Sequence, residues 1–235
     1  AAQTPDTITV RGHKIPVYLY GPRTGTPVVV SSGDGGWVHL GPHVAQLLAT
    51  QGFFVVGFDV RAYLESFTTG RATLAPEAEQ DDYRGLAEYA GAGPGRRALF
   101  VGVSEGAGLS VLAAADPHVK PLVAGVIGCG LPDVNELGWR WRDALIYLTH
   151  GVPNEPTFSA AAVAGLIAPV PLAMIHSTHD EYVPNAETER VYLAASEPKR
   201  AWTVPASDHR FSDNLPAFDR ALVEAIDWAM ANQPR

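Results

Sequence analysis

A glycine-flanked serine is the first feature of this sequence that could carry chemistry. The run Gly102-Val103-Ser104-Glu105-Gly106 has the form Gly-x-Ser-x-Gly. Residues 98–103 before it are apolar, and residues 106–115 after it are rich in Ala, Gly and Leu. A serine on a tight strand-to-helix turn can attack a carbonyl carbon, and glycines beside it avoid Cβ collisions with neighbouring backbone. This context predicts Ser104 as a nucleophile; a serine that only caps a helix is the alternative.

A serine nucleophile needs a base and a carboxylate that orients the base. Asp180 stands in the segment after one apolar run, and His209 stands in the segment after the next. The order serine, carboxylate, histidine, each after its own strand, is typical of serine hydrolases built on a mostly parallel sheet. We therefore predict Ser104, Asp180 and His209 as a catalytic triad, with Glu181 as the competing acid.

The charge that develops on an attacked carbonyl oxygen needs N–H donors already in place. The backbone N–H of Glu105 is the first predicted donor, because this residue follows the serine. The second is predicted in Ser32-Gly33-Asp34-Gly35-Gly36-Trp37, where glycines allow a close backbone approach; Asp34 and Gly35 both remain candidates. The carboxylates of Asp34 and Glu105 could also favour a cationic substrate group, although exposed turn residues need no such role.

Alternating apolar and helical stretches must position these residues. Eight runs are predicted strands: 7–10, 15–20, 28–31, 54–58, 99–103, 123–127, 172–176 and 201–204. Five stretches are predicted helices: 44–50, 76–90, 106–115, 186–195 and 216–231. Continuous apolar runs are typical of parallel strands covered on both faces, whereas the first two runs predict an antiparallel hairpin. We predict one α/β domain over residues 1–235, with a mostly parallel eight-stranded sheet and helices on both faces.

Residues 131–168 do not fit this alternation. The segment is too long for a simple connection and is rich in aromatic residues and proline, so we predict a small cap or lid over the site. Trp139 and Trp141 in this segment, together with Trp37 and His179, are predicted substrate contacts. A hydrophobic cluster that only holds the cap together is the alternative interpretation of the two cap tryptophans.

Composition narrows the functional classes. The 235 residues are 46% hydrophobic and 18% charged with a formal net charge of −8, which argues against disorder and against a nucleic-acid surface. No stretch approaches about 18 uninterrupted apolar residues, so no transmembrane segment is expected. A single cysteine, Cys129, excludes an intramolecular disulfide. His39 and His43 lack an evident third ligand and no phosphate-binding loop follows the first parallel strand, so we expect no metal and no cofactor.

Three segments together give the sequence a family resemblance. The run Gly52-Phe53-Phe54-Val55-Val56-Gly57-Phe58-Asp59, the glycine segment 32–37 and the serine motif resemble α/β-hydrolases of the bacterial VirJ/AcvB virulence-protein type, mainly over residues 28–115. The resemblance implies the α/β-hydrolase fold, export from the cytoplasm, and the hydrolysis of aminoacylated phosphatidylglycerol that is associated with that family. With the small residues at the start of the sequence, it leads us to expect a periplasmic or secreted protein, with a cytoplasmic one as the alternative.

These observations converge on a serine hydrolase that cleaves a carboxylic ester through an acyl-enzyme intermediate. An aminoacyl or lipid ester is the narrower substrate expectation, and the expected partner is such a small-molecule or lipid ester. Two alternatives remain open: an amidase or peptidase that uses the same triad, and a non-catalytic envelope binding protein on a hydrolase scaffold.

Overall fold

The structure of the chain is a computed structural model that describes residues 3–140 and 155–234. Its strands are β1 (Thr4–Val10), β2 (His13–Tyr20), β3 (Pro27–Ser31), β4 (Phe54–Phe58), β5 (Ala98–Val103), β6 (Val123–Cys129), β7 (Val134–Glu136), β8 (Thr157–Ser159), β9 (Leu172–Ser177) and β10 (Lys199–Val204). Its α-helices are α1 (Leu40–Thr50), α2 (Val60–Phe67), α3 (Pro76–Tyr89), α4 (Glu105–Ala115), α5 (Ala160–Ala164), α6 (Asn185–Ala194) and α7 (Leu215–Ala231).

Eight of the strands form one sheet in the order β1-β2-β4-β3-β5-β6-β9-β10. β1 and β2 form an antiparallel hairpin, β2 pairs antiparallel with β4, and the remaining pairs are parallel. The predicted mostly parallel eight-stranded sheet is therefore confirmed. Because β3 and β5 are neighbours and run in the same direction, the loops after them leave the sheet side by side at its carboxyl edge.

Helices cover both faces of the sheet, as predicted. α1 and α7 pack on one face with Val28, Val30 and Val101, whereas α2, α3 and α4 pack on the other with Val29 and Phe100. Neighbouring residues of one strand point to opposite faces, and both faces here are apolar. This is why every residue of β3, β4, β5 and β6 is buried and why these strands appear in the sequence as continuous apolar runs.

Three helical features differ from the sequence-based expectations, one of which is the short helix α5 inside the predicted cap segment. α1 begins at Leu40 rather than at residue 44, because Pro42 falls in the first turn, where backbone N–H groups have no intrahelical acceptor in any case. α2 was not predicted. Its N-terminal signal is Asp59, whose side chain accepts a hydrogen bond from the backbone N–H of Ala62 at 3.0 Å.

The ends of the predicted cap segment are anchored to the main domain. β7 and β8 pair antiparallel, and the Asp133 carboxylate accepts hydrogen bonds from Ser159 Oγ at 2.6 Å and from Arg190 at 2.7 Å. Arg190 belongs to α6, so the ion pair ties the segment to the helix that follows the predicted acid loop. Trp141 and the rest of residues 141–154 lie outside the described residues, and the cap over 131–168 stays a prediction.

Candidate active site

Ser104 occupies a strained turn between β5 and α4. Its φ of 52° is unusual for a residue with a side chain, and its backbone N–H donates to the carbonyl oxygen of Cys129 at 2.8 Å. The glycines of the motif are sterically required. A Cβ on Gly102 would lie 2.3 Å from Ala107 Cα, and a Cβ on Gly106 would lie 2.3 Å from the carbonyl oxygen of Ser32. Close packing therefore holds the serine at the carboxyl edge of the sheet.

The predicted acid and base meet across two loops. Nδ1 of His209, in the loop after β10, lies 2.6 Å from Oδ2 of Asp180, in the loop after β9. The other Asp180 oxygen accepts the backbone N–H groups of Tyr182 and Val183 at 2.9 and 2.8 Å. Both side chains are nearly removed from solvent, with 9% of His209 and 2% of Asp180 exposed. Asp180 thus orients the ring from the Nδ1 side, which places the acceptor role on Nε2.

Glu181, the competing acid, has a different contact. Its Oε2 accepts the backbone N–H of His209 at 2.7 Å, so it binds the main chain of the histidine rather than its ring. The imidazole of His209 is held further by Gly130, at φ 60°, where a Cβ would lie 2.5 Å from Cε1 of the ring. Sequence reasoning missed Gly130; its signal was a glycine directly after the apolar run of β6.

Ser104 and His209 face one cavity of about 350 Å³. Nε2 of His209 is buried and accepts no hydrogen bond from the residues that the structure describes. The cavity is lined by Gly33, Asp34, Gly35, Gly36, Val38, His39, Leu40, Val103, Ser104, Tyr182, His209 and Arg210. Ser104 and His209 thus line the same small volume, and Nε2 of His209 has no hydrogen-bond partner among the described residues.

The glycine segment lies directly beside the serine. A Cβ on Gly33 would be 3.4 Å from Ser104 Cβ, and the turn is closed by a hydrogen bond from the Gly36 N–H to the Gly33 carbonyl oxygen at 3.0 Å. Glu105 is the first residue of α4, where backbone N–H groups have no intrahelical acceptor. Asp34 and Gly35 both line the cavity. Their assignment with Glu105 as oxyanion donors stays a prediction.

The two carboxyl groups near the serine have different surroundings. Burial raises the pKa of Asp34, whereas His209 and the backbone N–H groups of Asp34 and Gly35 act against that shift. Burial raises the pKa of Glu105 well above its usual range, and the neighbouring Asp34 adds to the shift. The Glu105 carboxyl accepts the backbone N–H of Glu136 at 2.5 Å and is 7% exposed. Asp34 is therefore the carboxyl that faces the cavity, and a cation-attracting pair of carboxylates is not formed there.

Two of the three predicted aromatic substrate contacts, Trp37 and Trp139, do not line this cavity. Trp37 is 9% exposed and stacks on Tyr18 at 5.1 Å, over Gly57, where a Cβ would come within 2.3 Å of the indole. Trp139 is 3% exposed beneath the guanidinium of Arg61, 4.0 Å from the ring centroid. Both indoles therefore pack inside the protein, and a role in substrate contact has no support from their positions.

The remaining predicted contact is exposed, and the cavity walls come from other residues. His179 is exposed, and its backbone N–H donates to Ala206 at 3.2 Å. Val38 and Tyr182 form exposed apolar parts of the cavity wall, with 49% and 43% of their surfaces accessible. Sequence reasoning missed these two, although each stands within a few residues of a predicted site residue, where loop side chains reach the same volume.

Two further observations concern ligands and membranes. Within residues 3–140 and 155–234, no group of three or more His, Cys, Asp or Glu side chains is arranged to hold a metal ion. His43 instead pairs with Asp219 at 2.6 Å. Among the described residues, the helices are too short or too polar to cross a bilayer.

Comparisons with known proteins agree with this architecture. The family described as "Bacterial virulence protein (VirJ)" matches residues 26–121, which contain the glycine segment and the serine motif. "Uncharacterized protein Rv2307c" of Mycobacterium tuberculosis is 29% identical over 206 residues, which are 86% of this chain and 69% of that protein. The chain therefore resembles VirJ over residues 26–121.

Solved structures extend the likeness to nearly the whole chain. The α/β hydrolase GrgF from Penicillium sp. sh18 superposes with a TM-score of 0.72 at 13% identity, over 98% of this chain and 100% of that one. A membrane phospholipase A described as a bacterial virulence factor has a TM-score of 0.71 at 12% identity, over 97% and 86% of the two chains. The chain has the α/β-hydrolase fold.

Proposed function

We propose that this protein is a serine hydrolase that cleaves a carboxylic ester by acyl transfer to water. One observation carries the proposal: His209, whose Nδ1 is bonded to Asp180 and whose Nε2 has no partner among the described residues, lines the same cavity as Ser104 on its strained turn. Residues held in strained backbone conformations cluster at active sites and ligand clamps, which supports a functional role for Ser104 at φ 52°. The likeness to an α/β hydrolase and to a phospholipase A supports the same reaction class.

The acylation step follows from this geometry. Ser104 Oγ attacks the ester carbonyl carbon while His209 Nε2 takes the hydroxyl proton. The hydrogen bond from Nδ1 to Asp180 holds the required tautomer and stabilises the imidazolium that forms. The N–H groups of Glu105 and of Asp34 or Gly35 bind the oxyanion of the tetrahedral intermediate. Its collapse breaks the ester C–O bond, and the imidazolium gives its proton to the leaving alcohol.

Deacylation repeats the same steps with water. His209 removes a proton from a water molecule, whose oxygen attacks the acyl carbon. The second tetrahedral intermediate releases the carboxylic acid, and the proton returns to Ser104 Oγ. The cavity is open beside the exposed side chains of Val38 and Tyr182, so water reaches the acyl-enzyme from solvent.

The narrower substrate proposal is an aminoacyl or lipid ester. It rests on the resemblance to VirJ and on the walls of the cavity, where the apolar Val38, Leu40 and Tyr182 stand beside the carboxyl of Asp34. The apolar wall suits an acyl chain, and the acidic group suits a cationic amine. On the same resemblance we propose a periplasmic or secreted location, which fractionation of cells that produce the natural gene product would test.

A fluorophosphonate probe and an ester panel test the proposal. We expect the probe to label the wild type at Ser104, and Ser104→Ala to lose both the label and at least about 10⁴-fold of ester turnover. The panel varies acyl length and head-group charge, and its matched anilides separate ester from amide hydrolysis. Absence of labelling in a folded wild type would contradict the proposal and favour a binding protein, whereas faster anilide than ester cleavage would favour an amidase.

A further inference from the structure

A fully buried tyrosine hydroxyl lies beneath the loops that line the cavity. Tyr83, on α3, has no exposed surface, and its ring packs edge-on against Phe58 and Phe100. Its hydroxyl oxygen is 2.8 Å from Ser31 Oγ, and Ser31 is also completely buried. Loss of such a bond leaves a desolvated polar atom without a partner, so the bond holds both groups in place.

Ser31 is the last residue of β3, directly before the glycine segment, and this strand end touches the nucleophile turn. A Cβ on Gly106 would lie 2.5 Å from the carbonyl oxygen of Ser31 and 2.3 Å from that of Ser32. Gly106 is two residues after Ser104 and one after Glu105. The two elements predicted to donate to the oxyanion therefore meet through backbone atoms, with no side chain between them.

A second buried hydroxyl, that of Ser110, stabilises the α4 side of the contact between β3 and α4. Ser110 Oγ donates to the carbonyl oxygen of Gly106 at 2.7 Å, and Ser110 has no exposed surface. Burial and the nearby Glu79 carboxyl raise the pKa of Tyr83 well above its usual value, whereas the hydrogen bond with Ser31 acts in the opposite direction. Tyr83 is thus bonded to the end of β3, and the backbone of that strand end contacts the turn of α4 that Ser110 braces.

We propose that Tyr83 is a positioning residue whose hydroxyl holds the end of β3 against the first turn of α4 and so sets the separation of the two oxyanion donors. The inference rests on the proposed function, because the glycine segment and Glu105 matter in this way only if an oxyanion forms between them. A shift of one donor by about 1 Å weakens binding of the transition state. The exposed wall formed by Val38 and Tyr182 is unchanged, so kcat falls and KM does not.

The test compares Tyr83→Phe with Tyr63→Phe. Tyr63, on α2, is a matched control that does not line the cavity. It is also fully buried, and its hydroxyl donates to Asp82 Oδ2 at 2.6 Å. We measure kcat and KM on an activated ester, the inhibition constant of a boronic acid that forms an anionic tetrahedral adduct, and Tm. Tyr83→Phe should lower kcat by roughly 10- to 100-fold, with KM within about 3-fold and the inhibition constant rising in parallel. Tyr63→Phe should lower Tm but keep kcat.

Other results of these measurements would contradict the positioning role of Tyr83. Equal kcat values for the two variants, or a loss confined to KM, would overturn the positioning role. Ser31→Ala removes the same bond from the strand side and should reproduce the kcat loss; it also replaces Tyr83→Phe if that variant does not fold. A wild type without ester turnover would overturn the proposed function and this role together, whereas an active wild type with an equally active Tyr83→Phe variant would overturn this role alone.

Discussion

Two buried carboxyl groups in this protein have opposite surroundings. Asp180 accepts three hydrogen bonds, from His209 Nδ1 and from the backbone N–H groups of Tyr182 and Val183. Glu79, on α3, is completely buried, and neither of its carboxyl oxygens is hydrogen-bonded to any of the described residues. Burial and the neighbouring Asp82 and Asp116 raise the pKa of Glu79 well above its usual value. A buried carboxyl without hydrogen-bond donors, such as that of Glu79, favours its protonated form.

Burial alone therefore does not distinguish a carboxyl group that could orient a histidine base from one that could not. Both carboxyl groups are removed from solvent, yet only Asp180 is fixed in direction by donors and aimed at a second titratable side chain. The orientation of a hydrogen-bonded carboxylate is what a histidine base needs. Glu79 contributes to a buried cluster beneath the sheet, where its effect is on stability.

Replacement of Asp180 by asparagine should have the largest effect. The amide keeps the shape of the side chain but favours the wrong imidazole tautomer, so we expect kcat to fall on the order of 10⁴-fold. Steady-state kinetics on the best ester of the panel measures this loss. If Asp180→Asn kept most of its rate, the acid would have to be sought elsewhere, with Glu181 first.

Gly130→Ala tests whether activity depends on the position of the His209 ring, as it is expected to depend on the orientation of Asp180. The added methyl would lie 2.5 Å from Cε1 of His209 and displace the ring from its place beside Asp180, so we expect roughly a 100-fold loss of kcat. Gly95→Ala is the matched control: its φ of 77° carries the same backbone strain, but its Cβ would meet no atom within 4 Å. A similar activity loss in both variants would show that backbone strain, not the ring contact, is responsible.

Glu79→Met should stabilise the protein at neutral pH. It replaces an unsatisfied buried carboxyl by an apolar group of similar length, and we expect a gain in the free energy of unfolding of about 1–3 kcal/mol, measured by urea denaturation. Asp116→Asn serves as a comparison, because it changes a neighbouring carboxyl without filling the buried position. A Glu79→Met variant less stable than the wild type at pH 7 would mean that Glu79 has a partner in solution.

The pH dependence of the free energy of unfolding provides a second test of the raised pKa of Glu79. The raised pKa means that the folded state keeps a proton that the unfolded chain releases near its ordinary value of 4.5. The unfolded state therefore binds fewer protons, and stability falls as pH rises above about 4.5 until the folded pKa is reached. Glu105 adds a slope of the same sign, so the difference between wild type and Glu79→Met isolates Glu79. Parallel curves from pH 4.5 to 8 would contradict this assignment.

Glu181→Gln should have the smallest effect. The glutamine oxygen still accepts the backbone N–H of His209, so we expect kcat to change by no more than about 3-fold, whereas Glu181→Ala also removes the acceptor and should lower kcat further. The kcat values of the two Glu181 variants and of Asp180→Asn, measured on the same ester, show which of the two neighbouring carboxylates contributes more to turnover. A loss in Glu181→Gln as large as that in Asp180→Asn would exchange their roles.

The parts of the site that could be predicted from the sequence share one property. Ser104, Asp180 and His209 each follow a parallel strand, and parallel strands bring their carboxyl ends to one edge of the sheet. Local pattern and chain order therefore place the three residues near one another before any contact is known. The inner strands β3 to β6 could also be predicted from the sequence, because a strand that is covered on both faces requires a continuous apolar sequence.

The parts that could not be predicted depend on which atoms pack against which. Trp37 stands in the glycine segment, yet Gly57 of another strand leaves space for its indole in the interior. Gly130 and Tyr83 carry no motif, and their contacts with His209 and Ser31 join residues 79 and 52 positions apart. Aromatic residues near a motif are equally compatible with a wall or a core, and the sequence pattern does not distinguish them.

The amino-acid sequence by itself determined the alternation of strands and helices, the turn at Ser104 and the order of the three candidate catalytic residues, because these follow from local sterics, hydrophobic periodicity and chain direction. Only the tertiary structure decided that Asp180 rather than Glu181 meets the imidazole ring, that Asp34 rather than Glu105 faces the cavity, and that Tyr83 lies beneath both loops. Each of these choices is between groups with nearly the same local sequence signal, and it is decided by hydrogen-bond donors and packing surfaces that distant segments supply.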